Sequence, residues 1–168
     1  SPDGTRVVTG SGGAVSIWDA TTGDNTLTLT TTSVIDAAVW SPNGTHVLTG
    51  SGDGTARIWD ATSGNNTLTL THTHAVFAAA WSPDGTHIIT GSKDGTAHIW
   101  DTTTGNNTLT LTHEHPVLAV AWSPDGTYVI TGSGTKVRIW DATTGDNTLT
   151  LKHTDWIGAA AWSPDGTH

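Results

Sequence analysis

The chain has 168 residues, enough for one sizeable core and too few for two ordinary domains, so a single domain is the starting expectation. A formal net charge of −9, with only six Lys and Arg, excludes the basic footprint that binds nucleic-acid phosphates, and the absence of cysteine excludes a disulfide framework or a thiolate zinc site. The hydrophobic fraction is a low 35%, but nine Trp supply buriable surface, and abundant Thr and Gly with no Met favour strands and tight turns: an all-β protein. No run of about 18 apolar residues is present to span a bilayer as a helix, so neither a membrane nor a nucleic acid is expected as a partner.

The phrase Ser-Pro-Asp-Gly-Thr opens the chain at Ser1 and returns at Ser41 (with Asn43 in place of Asp), Ser82, Ser123 and Ser163. A period of about 41 residues divides a single repeat domain, 1–168, into copies 1–40, 41–81, 82–122 and 123–162, with 163–168 starting a fifth. Ser1 stands directly in a turn phrase, as in a trimmed chain or a fragment of a longer array. The first copy reads as three strands within Thr5 to Thr30. The copy from Ser82 shows the full unit. Pro83 and Gly85 build a turn, and Thr86 to Ser92 is a strand. Lys93-Asp94-Gly95 reverses the chain into Thr96 to Asp101, which ends Ile-Trp-Asp. Asn107 to Thr112 alternates Thr and Leu, placing Leu109 and Leu111 on the one dry face of an edge strand. Val117 to Trp122 is apolar on both faces and is expected to be the innermost and most buried strand. At the end of the chain, Trp156 to Trp162 reads as a spare inner strand, the one the first copy lacks.

A four-stranded unit of this length, with Trp18-Asp19, Trp59-Asp60, Trp100-Asp101 and Trp140-Asp141 at one fixed place, resembles the WD-repeat family of β-propellers over the whole chain. The resemblance implies four-stranded antiparallel blades, four per chain. It also implies a buried brace of His, Ser or Thr, Asp and Trp. Position by position this is His72, Thr90, Asp94 and Trp100 in one complete set. The set of Thr31, Thr49, Asp53 and Trp59 lacks the His, and that of His113, Thr131 and Trp140 lacks the Asp because its turn is one residue shorter. The first copy, with Thr9 and Trp18, shares the shorter turn. Groups left over by an incomplete brace are expected to reach water or relax outward.

Rings of this family usually hold seven or eight blades. Four are therefore expected to close only as an eight-bladed ring from two chains, the strand at Trp156, Ile157 and Trp162 of each completing the first blade of the other. Trp156 reads as junction packing or as an anchor for a partner. His and Asp recur at fixed blade positions, which turns and bracing explain, so no catalytic triad and no enzyme activity are expected. The pairs His72-x-His74 and His113-x-His115 could chelate a metal if extended. No third ligand recurs beside them and Asp155 breaks the series, so no metal and no cofactor are expected. The functional expectation is a self-assembling structural ring, with a protein- or peptide-binding module as the alternative. The near-uniformity of the copies, the second and third identical at about three-quarters of positions, favours the first and suits an engineered or recently amplified array.

Overall fold

The structure is a computed structural model describing residues 1–166. Among these residues it holds fifteen strands and no helix. The first sheet has three strands, β1 (Arg6–Ser11), β2 (Ala14–Asp19) and β3 (Asn25–Thr30). The second has four: β4 (Ile35–Trp40), β5 (His46–Ser51), β6 (Thr55–Asp60) and β7 (Asn66–Thr71). The third repeats it with β8 (Val76–Trp81), β9 (His87–Ser92), β10 (Thr96–Asp101) and β11 (Asn107–Thr112). The fourth is β12 (Val117–Trp122), β13 (Tyr128–Ser133), β14 (Lys136–Asp141) and β15 (Asn147–Lys152). Every pairing is antiparallel between consecutive strands, and the sheets stand side by side in chain order.

Side-chain caps hold the turns. In the turn at Ser82, the Ser82 hydroxyl donates to Asp84 Oδ1 (2.6 Å) and accepts from the His87 amide (2.9 Å), while Asp84 Oδ1 also accepts from the Thr86 amide (3.0 Å). Gly85 closes this turn at φ 74°, a left-handed conformation that costs a β-carbon-bearing residue energy. The signature Asp101 does the same after β10, its Oδ1 accepting from the amides of Thr103 (3.0 Å) and Thr104 (2.7 Å). The Asp of each Trp-Asp pair is thus a turn cap, while Trp59, Trp100 and Trp140 face the core.

Each of the first three sheets buries one face against the next sheet. The face bearing Val15, Ile17 and Leu29 meets Val47, Trp59 and Ala61 of the second blade. Leu48, Ile58 and Leu70 then meet Val76, Ile88 and Trp100 of the third, and Ile89, Ile99 and Leu111 meet Val117, Val129 and Trp140 of the fourth. One kind of interface, a leucine face on a tryptophan face, occurs three times.

Two sequence expectations need correction. The most buried strand is the second of each blade, β5, β9 and β13, in which five of six residues are buried; the innermost strands β4, β8 and β12 are largely intermediate. The inner strand has a sheet neighbour on only one edge, whereas the second strand is flanked on both. Second, residues 156–162 form no strand. They lie beside the fourth blade, and among the described residues no strand pairs with them.

Inner and second strands come closest at glycine. A β-carbon on Gly91 would lie 2.8 Å from Val117 Cγ1, 3.0 Å from Val120 Cγ1 and 3.1 Å from the Val117 carbonyl oxygen. Gly91→Ala is therefore expected to lower the unfolding free energy by about 1–3 kcal/mol through overpacking, read in urea titration as an earlier midpoint at unchanged slope.

Candidate functional site

In the third blade the turn before β8 brings His72 over the sheet, where β9 supplies Thr90, the β9–β10 turn supplies Asp94 and β10 supplies Trp100. Trp100 Nε1–H donates to Thr90 Oγ1 (2.8 Å), and Thr90 Oγ1 lies 2.7 Å from His72 Nε2. The ionised Asp94 carboxylate can only accept, so the proton of a neutral His72 ring faces it and Nε2 is left to accept from the Thr90 hydroxyl, which in turn accepts from the indole N–H. The imidazole proton is thus on Nδ1, 3.2 Å from Asp94 Oδ2, which accepts it. One proton order thus runs from indole to carboxylate through four residues.

Burial pushes Asp94 up, but hydrogen bonds from the hydroxyl and amide of Thr96, with His72 and the Thr73 amide adding to them, hold it well below the ordinary carboxylate range. Burial lowers His72, with Asp94 pulling it back up.

The other blades keep the indole-to-threonine bond and vary the rest. Trp18 donates to Thr9 (2.8 Å), Trp59 to Thr49 (3.0 Å) and Trp140 to Thr131 (2.8 Å). In the second blade Thr31 turns its hydroxyl to the backbone oxygens of Ser33 (2.9 Å) and Gly13 (3.0 Å), and Asp53 pairs instead with Arg57 (3.0 Å). In the fourth, His113 Nε2 accepts from Thr131 (2.8 Å) and its Nδ1–H donates to the Leu111 carbonyl (3.1 Å). The leftover groups therefore find partners inside the protein, where release to water was expected.

A further position was missed at the sequence level. Arg57, His98 and Arg138 sit directly across from Thr49, Thr90 and Thr131 in the strand register, and so lie beside each brace. Strand alternation alone would have placed them there. His98 stacks on His72 with centroids 4.2 Å apart and planes 19° apart, and its Nδ1 is buried without a hydrogen-bond partner. Burial first, then the neighbouring His72, pushes His98 down to about 4. His113 falls to about 4 as well, by burial and then the Arg138 charge.

The backbone does not hold either histidine pair in the extended form that a chelate needs. Residues 72–75 bend, so His72 is buried in the brace while His74 is exposed, its Nδ1 3.2 Å from the Thr73 hydroxyl. His113 and His115 part in the same way, the exposed His115 ring resting 5.6 Å from that of Trp156. Among the described residues no group of three or more His, Asp or Glu could hold a metal ion.

The residues assigned to ring closure have three different environments. Trp156 is exposed apart from His115. Ile157 is buried against Ile130 and Val137, and its amide donates to the Gly134 carbonyl (2.8 Å). Trp162 stacks on Tyr128 at 6.4 Å.

Thr90→Val removes the hinge of the complete brace and strands two buried nitrogens. An unfolding free energy lower by about 1–3 kcal/mol for each is expected in urea titration, against at most about 1 kcal/mol for Thr9→Val beside the less buried Trp18. His72, His98 and His113 have folded values below the unfolded one, so the unfolded chain binds more protons in acid. Their stabilisation is complete above about pH 6.5 and is lost as pH falls, for His98 and His113 down to about 4, which thermal melts across that range read directly.

No curated protein matches the chain. The family described as WD domain, G-beta repeat matches at residues 1–19, 22–60, 64–101 and 105–141, well over half of the sequence and once per blade. Members of this family are generally non-enzymatic scaffolds that mediate protein–protein interaction. With its recurrent Trp-Asp strand ends and four-stranded antiparallel blades, the chain belongs to the WD-repeat family.

Proposed function

We propose that this chain is a self-assembling scaffold in which two copies join head to tail into an eight-bladed ring, each C-terminal segment completing the three-stranded blade of the other. The carrying observation is the seat of Ile157. It approaches Gly132 as Val117 approaches Gly91, Val76 approaches Gly50 and Ile35 approaches Gly10, and its amide bonds Gly134 as that of Ile35 bonds Gly12. Residues 157–162 thus already lie against the fourth blade as an inner strand lies against the blade before it. What they lack is a strand such as β1, whose own inner edge has no strand beside it.

The outer parts of the two end faces support the same reading. Leu151 is 44% exposed on the fourth blade where its counterpart Leu111 is 1% exposed, and Val7 is 47% exposed on the first where Val129 is fully buried. The leucines of inner blades pack on a turn glycine of the next, Leu109 Cδ2 lying 3.3 Å from where a β-carbon on Gly145 would stand; the equivalent Gly23 meets nothing within 4 Å. Each end carries one half of an interface the chain builds three times internally, and joining them is a heterologous contact that a two-fold rotation closes. In this ring Ala160 pairs with Thr9 and Trp162 with Val7, the register of Val120 with Thr131 and Trp122 with Val129.

A second reading, a protein- or peptide-binding module, draws on one feature. A register shift in each inner strand leaves Asp36, Phe77 and Leu118 unpaired with the second strand, and these three positions differ in charge and shape.

Light scattering on a size-exclusion column tests the assembly. The expected mass is twice 17.4 kDa. Leu149→Arg with Leu151→Arg alters side chains already exposed in the single chain, so strand content by circular dichroism is expected to stay constant. Association should weaken by at least about 100-fold, since burial of two leucines is worth roughly 3–6 kcal/mol. A monodisperse 17.4 kDa species for the unaltered chain would refute the ring.

A further inference from the structure

Between neighbouring blades, on the side of the Ser-Pro-Asp-Gly turns, runs a groove floored by the Trp that ends each inner strand. The groove between the first and second blades is filled by the chain itself. Arg6 leans across it with its guanidinium carbon 4.5 Å from the centroid of Trp40. One terminal nitrogen donates to the Gly44 carbonyl at 2.7 Å and the other to the Ala61 carbonyl at 3.3 Å. A flat cation on an aromatic face with two N–H groups aimed at two carbonyls is a recognition mode particular to guanidinium; an ammonium cannot reproduce it.

The groove between the second and third blades repeats this frame without its occupant. Trp81 stands for Trp40, Gly85 for Gly44 and Thr102 for Ala61, but His46 replaces Arg6. The imidazole is shorter than the arginine side chain, and its Nδ1 lies 2.7 Å from the Thr45 hydroxyl. The result is an open groove of about 550 Å³. The Gly85 carbonyl accepts one bond, from the Thr102 hydroxyl at 3.1 Å, and keeps a second lone pair. This groove also gains a charge. Asp84 stands where the occupied groove has Asn43, and it is fixed by the Ser82 hydroxyl and by the amide and hydroxyl of Thr86. In the groove between the third and fourth blades the corresponding His87 ring sits beside Trp122, with centroids 6.4 Å apart and planes tilted by 42°.

We propose that the groove of Trp81, Asp84, Gly85, Thr102 and His46 is a binding site for the arginine side chain of a peptide or protein, held as Arg6 is held in the neighbouring groove. The guanidinium stacks on Trp81, donates to the carbonyls of Gly85 and Thr102, and is neutralised by Asp84. The net charge of −9 draws basic segments toward it. The site lies within one chain and does not depend on the ring.

The test is a titration of acetyl-Gly-Arg-Gly-amide into the full chain, followed by the indole N–H resonances, with Trp81→Phe used to assign the Trp81 signal. The Trp81 resonance is expected to shift and saturate with an affinity on the order of 1 mM, and the lysine peptide to bind at least about ten-fold more weakly. His46→Arg places the protein's own guanidinium in the groove. It should abolish the shift and raise the melting temperature, which also shows that the variant is folded. Asp84→Asn should weaken binding several-fold. No Trp81 response up to about 10 mM arginine peptide, an equal response to the lysine peptide, or an unchanged titration in folded His46→Arg would each overturn the proposal.

Discussion

A single blade has two apolar faces and cannot cover either one. A sheet of this size carries leucines and isoleucines on one side and a tryptophan with β-branched neighbours on the other, and both must leave water for the chain to fold. Everything else follows from the pairing of unlike faces. Turns are short because the blades must stack in sequence, and glycine stands at positions 10, 50 and 91 because the inner strand of the next blade presses there. The end faces stay apolar because they are the same two faces without a neighbour. The clusters joining Leu70 to Trp100 and Leu111 to Trp140 are therefore the parts on which the strand order, the braces and the grooves all rest.

Within this frame the brace has a constant half and a variable half. The tryptophan-to-threonine bond occurs in all four blades, while the groups beyond it change partners as the sequence changes. Loss of the histidine in the second blade frees Asp53 for Arg57, and loss of the aspartate in the fourth hands the imidazole proton of His113 to a backbone carbonyl. A buried polar group costs too much to remain unsatisfied, so substitution at one position redirects the network locally. The buried nitrogens without a hydrogen-bond partner among the described residues lie in two places, beside the brace at His98 Nδ1 and Arg57 Nη1, and on the indoles of Trp40, Trp81, Trp122 and Trp162.

The alternation in Asn107 to Thr112, the turn chemistry around Pro83 and Gly85, and the recurrent Trp-Asp pairs made the strands legible, because these are local signals with a period of two. The burial order of the strands was not legible, since apolar composition does not say how many sides of a strand are covered. Nor was the state of residues 156–162: their composition is that of an inner strand, but pairing needs a second strand in reach. The bend at 72–75 hid the divergence of His72 and His74, because a spacing argument presumes an extended backbone. Arg6 was legible as a residue on the first strand; its span over Trp40 to the second blade was not, because it depends on how two blades are placed.

The sameness of the three interfaces has one more consequence. In the proposed closed ring every joint is built from the same face pair, so no blade is marked as the first. In that ring, circular permutation at any Ser-Pro-Asp-Gly turn leaves the set of joints unchanged. Duplication of a blade inserts one more wedge without requiring a matching change elsewhere, so such an array can lengthen or shorten by whole blades while each remaining joint stays intact.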